Sequence, residues 1–106
     1  MAASSPRDVL TTIARSLVVS HKYASVEQAL QGMARSEVKR KIAYYQRRIR
    51  GLERKHGVGF EAFSARLKGR ATPEEEDDWL AWRSANQMLM DWQKTYKELD
   101  HARARA

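Results

Sequence analysis

The chain has 106 residues, a net charge of +7 and no cysteine. This length fits a single domain, 1–106, whose core is barely large enough to be self-sufficient, so we expect a homo-oligomer, in particular a dimer. The missing cysteine excludes disulfides and thiolate metal sites and fits a cytoplasmic protein, and the apolar runs are too short to cross a membrane.

The first predicted helix covers 6–18. Ser5 is a suitable N-cap, Pro6 suits the first helical position, and Asp8 lies in the first turn, where negative charge is favoured. The segment lacks a basic start followed by an apolar block, so we expect no secretory signal. The apolar stripe of this helix consists of Val9, Leu10, Ile13, Ala14 and Leu17.

The second predicted helix, 26–55, is long and basic. Ser25 and Gln28 form a capping-box pattern before it, and Gly57 is a good terminator after it. Its second half, 35–55, carries nine Lys or Arg residues against two Glu. The apolar positions step by four and three residues, as in a coiled coil; they are Val38, Ile42, Tyr45, Ile49 and Leu52.

Two further helices are predicted after a glycine-rich break. The short one, 60–68, places Phe60 and Phe63 on one side, and the long one, 73–102, begins with a second capping box at Thr72. The apolar stripe of the long helix consists of Trp82, Ala85, Leu89, Trp92, Tyr96 and Leu99. We therefore predict an all-α fold: an antiparallel helical hairpin of two long helices, with a short linking helix and an N-terminal helix.

The acidic run 74–78 opens the last predicted helix, where the helix dipole favours negative charge. It lacks the spaced oxygen ligands of a calcium loop, so we predict no metal site. His21, His56 and His101 have no metal-ligand spacing and are predicted at the surface. No phosphate-binding loop or local catalytic pattern is present, so we expect no cofactor and no enzymatic activity.

The basic helix has two interpretations. In the first it binds the phosphates of DNA or RNA, because every phosphate neutralised by a cation releases counterions. In the second it is a solvated face, partly paired with the acids at 74–78. The charge distribution permits both, since residues 1–55 hold 12 basic and 4 acidic side chains, a net +8, and residues 56–106 hold 8 basic and 9 acidic, a net −1. The candidate nucleic-acid-binding residues are Lys39, Arg40, Arg47, Arg48, Arg50 and Arg54.

The tryptophans of the last predicted helix divide between core and edge. Trp82 and Trp92 are ten residues apart and fall on nearly the same face, so both are predicted to lie inward. Trp79 falls toward one edge of that face. Because Trp is a frequent anchor of protein interfaces, Trp79 is the first candidate for contact with a partner.

Residues 37–99 resemble small prokaryotic proteins of the antitoxin type, encoded beside small toxins. The shared pattern is a helix ending in a Gly-x-x-Phe-Glu-x-Phe motif, here Gly57 to Phe63, a short helix, and an acidic run before Asp-Trp-x-x-Trp, here Asp78 to Trp82. That pattern often has Ser at the position of Gly59, so the cap of the short helix is weaker here. The N-terminal part, helix 6–18 followed by KYASVEQAL, resembles the two-helix portion of ribbon-helix-helix repressors without their preceding strand, which implies a dimerising segment.

The resemblance implies a non-enzymatic protein that binds and neutralises a co-encoded toxin. The alternative is a basic helical module that binds DNA or RNA or regulates transcription. For the first function, the candidate partner-binding residues are Phe60, Phe63, Asp78, Trp79 and Trp82.

Overall fold

The computed structural model describes residues 6–20 and 22–105, which form four α-helices and no strand. The helices are α1 (Pro6–Val19), α2 (Val26–His56), α3 (Phe60–Leu67) and α4 (Pro73–Arg105). The predicted fold class and order of elements are confirmed. The largest difference in bounds is at the end of α4, predicted at 102. Ser5 and His21, predicted as a cap and a surface residue, lie outside the described residues.

The helix ends follow local chemistry. Ser25 Oγ accepts a hydrogen bond from the backbone N–H of Gln28, 3.1 Å away, at the start of α2. Gly57 ends α2 in the left-handed conformation, with φ 71°. The capping box before α4 is reciprocal, because Thr72 and Glu75 each bond the other's backbone N–H. Gly59 supplies no side-chain cap to α3, as the sequence predicted.

The two long helices form the predicted antiparallel hairpin, and ion pairs mark its register at both ends. Near the turn, Lys55 at the end of α2 pairs with Glu74 at the start of α4, with 3.0 Å between Nζ and Oε1. At the far end, Arg35 Nη2 lies 3.3 Å from Asp100 Oδ1. Each helix therefore meets its partner along most of its length.

The core inside this hairpin is thin. Among the described residues, the buried apolar side chains are Val38, Trp82 and Ala85 of the two long helices, Phe63 of α3, and Ala14 and Ala29 of α1 and α2. The Cα radius of gyration is 19.6 Å, whereas a compact domain of this length has about 13 Å. Long helices packed in a single layer leave much of their surface in solvent.

Helix α1 packs on the N-terminal half of α2, where Ala14 and Ala29 are fully buried. The predicted apolar stripe of α1 is only partly covered: Val9, Leu10 and Ile13 remain 48%, 45% and 44% exposed. The reason is that one neighbouring helix covers only one side of α1. Within the described residues, none of the helices has both the length and the apolar character of a membrane span.

Candidate functional site

An aromatic cluster forms where α2, α3 and α4 meet at the turn end of the hairpin. Phe63 and Trp82 stack with ring centroids 5.4 Å apart, and Phe60 lies 5.6 Å from Trp82 and 5.9 Å from Trp79. The pairs form because the two phenylalanines and the two tryptophans are each three residues apart, which places each pair on one side of its helix. The sequence motif thus builds one packed unit.

His56 belongs to this cluster, so its predicted surface position was wrong. Its ring lies 4.1 Å from Phe63 and 6.2 Å from Trp82, and its side chain is 12% exposed. The sequence carried a signal for this burial: His56 follows Leu52 by four residues and so continues the apolar seam of α2.

Asp78 joins α4 to the end of α2. Its Oδ2 accepts hydrogen bonds from Lys55 Nζ at 2.8 Å and from His56 Nε2 at 2.7 Å. The Lys55 hydrogen bond, supported by that of His56, lowers the pKa of the Asp78 carboxyl below its ordinary value. The same bond raises the pKa of Lys55, with a smaller contribution from Glu74. Asp78 is therefore already engaged within the chain. Among the described residues, no group of three or more His, Asp or Glu side chains could hold a metal ion.

Trp79 forms the wall of a surface groove beside the cluster. Its Nε1–H donates to Ser64 Oγ at 2.8 Å, and the Ser64 hydroxyl donates to the Phe60 carbonyl oxygen at 2.8 Å. The Arg83 guanidinium lies over the ring, 5.6 Å from the centroid. These contacts fix the indole and leave part of it exposed.

The α3–α4 groove has a volume of about 520 Å³ and a largely apolar lining. Leu80, 56% exposed, lines this groove and lies about 160° around α4 from the buried Trp82. Apart from Trp79 and Leu80, its walls are Ser64, Leu67, Lys68, Ala71 and Glu76. An apolar groove with one rigid aromatic wall suits an apolar side chain of another molecule.

The predicted partner-binding residues therefore have different placements. Trp79 lines the groove and Phe60 is half-buried behind it. Trp82 and Phe63 are 1% and 0% exposed, so the prediction that they contact a partner directly is corrected: they hold the groove's wall from behind. Leu80 was missed as a site residue, since the sequence placed it only at the flank of the α4 stripe.

The predicted nucleic-acid-binding residues also separate. Lys39 Nζ lies 5.8 Å over the Tyr96 ring, at the hairpin seam. Arg40 pairs with Glu37 at 3.2 Å but stays largely exposed. Arg48 lies 5.9 Å over the ring of Tyr44. The remaining candidates are exposed and form no ion pair within the part of the chain that the structure describes; they are Arg47, Arg50 and Arg54.

Comparisons of the chain with protein-family models, with curated proteins and with solved structures gave no match.

Proposed function

We propose that this chain is a non-enzymatic interaction protein whose α3–α4 groove binds a protein partner. The observation that carries this proposal is an exposed apolar residue, Leu80, beside a tryptophan, Trp79, whose indole contacts Phe60, Ser64 and Arg83. The wall is formed before any partner arrives, so little side-chain freedom is lost on binding. Aromatic anchors in such settings supply much of the energy of protein interfaces.

The partner in this proposal is a toxin encoded beside the chain. The chain binds this toxin in the cytoplasm and so acts as its antitoxin. Supporting it is the resemblance over residues 37–99, whose motif residues include Phe60, Phe63, Trp79 and Trp82. These are the residues that form and support the groove wall. A motif that builds a binding surface is what the proposed function needs.

A second copy of the chain is also part of the proposal, through the outer side of α1. Val9 and Ile13 lie there, each close to half exposed, while Leu10 lines the cleft between α1 and α2. Covering these side chains would enlarge a core that contains few buried residues. This agrees with the dimerising role that the resemblance to ribbon-helix-helix proteins implies for the N-terminal segment.

Co-expression with the protein encoded next to the chain tests the partner. We expect that protein alone to arrest growth, and the chain to restore growth and to co-purify with it. Leu80→Asp should lose both effects, because a carboxylate would have to be buried in the apolar groove. Leu80 is exposed, so the variant should keep the helical circular dichroism of the parent chain.

Met90→Asp is the matched control, since Met90 is an exposed apolar residue on the same helix, outside the groove. It should protect as the parent chain does. A harmless neighbouring protein would contradict the antitoxin role, and equal behaviour of the two variants would contradict the groove as the binding site.

A further inference from the structure

The outer side of α2 carries a continuous basic surface that begins at Arg40, beside α1, and runs toward the turn end of the hairpin. Arg40, Arg47 and Arg54 are seven residues apart, so they lie within about 40° of one another around the helix and span about 21 Å along it. Arg50 and Arg48 flank this row on either side. These five residues form the arginine face, which lies opposite the seam that packs on α4.

The charge of the arginine face is largely uncompensated. Between residues 40 and 54 the sequence contains a single acid, Glu53, which lies three residues and about 60° from Arg50 and forms no ion pair within the described residues. Lys39 and Lys55, at its two ends, are turned to Tyr96 and to the acids of α4. Within the described residues, only Arg40 of the arginine face has an ion-pair partner, Glu37. Five guanidinium groups on one rigid helix are complementary to a polyanion.

Gly51 lies within this face and has no role in packing inside the chain. A Cβ built on it would meet no other heavy atom within 4 Å, so the fold does not require a glycine there. Glycine inside a helix is unfavourable relative to alanine. Glycine does allow another molecule to approach the helix backbone closely, and here the approach would be between Arg47 and Arg54.

We propose that the arginine face binds the phosphate backbone of double-stranded DNA, with Gly51 at the point of closest approach. A straight helix of about 10–12 Å diameter fits the major groove of B-form DNA, about 12 Å wide, whereas the deep and narrow major groove of duplex RNA does not admit it. Among the described aromatic residues of α2, Tyr44 has the exposed ring. It is covered by Arg48 and packs edge-on against Tyr45, so it offers a poor platform for stacking single-stranded bases.

The test is the salt dependence of binding to a DNA duplex of about 20 base pairs, measured by fluorescence anisotropy between about 50 and 200 mM NaCl. Arg47→Ala/Arg50→Ala/Arg54→Ala should reduce affinity at least tenfold at low salt. It should also make the slope of log K against log salt shallower by about 2.7, because each lost phosphate contact removes about 0.9. Gly51→Leu should weaken binding without changing the charge, while its melting temperature stays at or above that of the parent chain.

A matched variant removes the same charge elsewhere: Arg70→Ala/Lys94→Ala/Lys97→Ala takes away three exposed cations outside the arginine face. It should keep the slope within about 1 of the parent value. Equal losses in the two triple variants would overturn the proposal, since binding would then follow net charge alone. Tighter binding to duplex RNA of the same sequence, or to phosphatidylserine vesicles, would overturn DNA as the ligand. Because the arginine face contains no residue of the partner groove, Leu80→Asp should leave DNA binding unchanged.

Discussion

At the scale of single residues, the two glycines inside α2 have opposite structural roles. A Cβ on Gly32 would lie 2.7 Å from both Cε1 and Cζ of the Tyr23 ring, so the glycine makes room for the tyrosine that precedes the helix. Gly51 faces open space. Both glycines are unfavourable inside a helix relative to alanine, and only the packing of Tyr23 distinguishes them.

Alanine at these two glycines should therefore change stability in opposite directions. Gly51→Ala should raise the free energy of unfolding by about 0.5–1 kcal/mol, because alanine has the higher helix propensity and meets no neighbour. Gly32→Ala should lower it by about 1 kcal/mol, because displacing the Tyr23 ring outweighs the same propensity gain. Urea denaturation followed by circular dichroism measures both. A gain at Gly32 would contradict the packing described for Tyr23.

The sequence predicted some residue placements well and could not predict others. Trp82 was expected to lie inward and is buried, because its position follows from the period of one helix. His56 was misplaced although the spacing of the α2 seam indicated its inward side, because the ring that covers it, Phe63, belongs to α3. The adjacent residues Arg54 and Lys55 differ for a similar reason. Only Lys55 meets the acids of α4, and that depends on where α4 begins.

At the scale of elements, local signals define the helix ends and one polar cluster joins them. Gly57 ends α2 through its backbone geometry, and Thr72 caps the start of α4 through hydrogen bonds with a nearby residue. Both signals are local, which is why the sequence predicted these two helix ends. The cluster of Lys55, His56 and Asp78 joins residues from two helices separated by α3. It could not be predicted in detail from the sequence, although pairing of the acidic run with the basic helix was one of the two interpretations considered.

This cluster should make the hairpin sensitive to acid. The pKa of Asp78 is lower in the folded chain than its ordinary value of 3.8, so the folded state binds fewer protons than the unfolded state near that pH. The stabilisation of the folded state by the Asp78 carboxylate is present above about pH 4 and is lost as the pH falls through the lowered pKa. Asp78→Asn should lower the free energy of unfolding by about 1 kcal/mol at pH 7 and by progressively less below pH 4.

Urea denaturation from pH 2 to pH 7 would measure this difference between the parent chain and Asp78→Asn. Asp77→Asn is the control, because Asp77 is exposed and has no hydrogen bond or ion pair within the described residues. Its stability should follow the parent curve throughout. A constant difference between Asp78→Asn and the parent chain across this range would mean that the carboxylate charge does not contribute.

At the scale of the whole molecule, the fold is long and thinly packed. The two long helices contain 31 and 33 residues, about 46 and 50 Å of helix, and they enclose few fully buried side chains. The arginine face and the α3–α4 groove lie on separate parts of this surface, so a nucleic acid and a protein partner need not compete. The solvent-exposed surface of the chain is thus large relative to its buried core.

Self-association through α1 is the consequence that can be tested most directly. Val9 and Ile13 share one side of α1, and a second copy that covered both would bury apolar surface at about 25 cal/mol per Å². We expect sedimentation equilibrium to show a dimer, and the melting temperature to rise with protein concentration, as it does when association stabilises the folded state. Ile13→Asp should give a monomer whose melting temperature does not depend on concentration.

Val19→Asp, which changes an exposed residue on another side of the same helix, should remain dimeric. A parent chain that is monomeric at all concentrations would leave the apolar side of α1 without the role proposed for it.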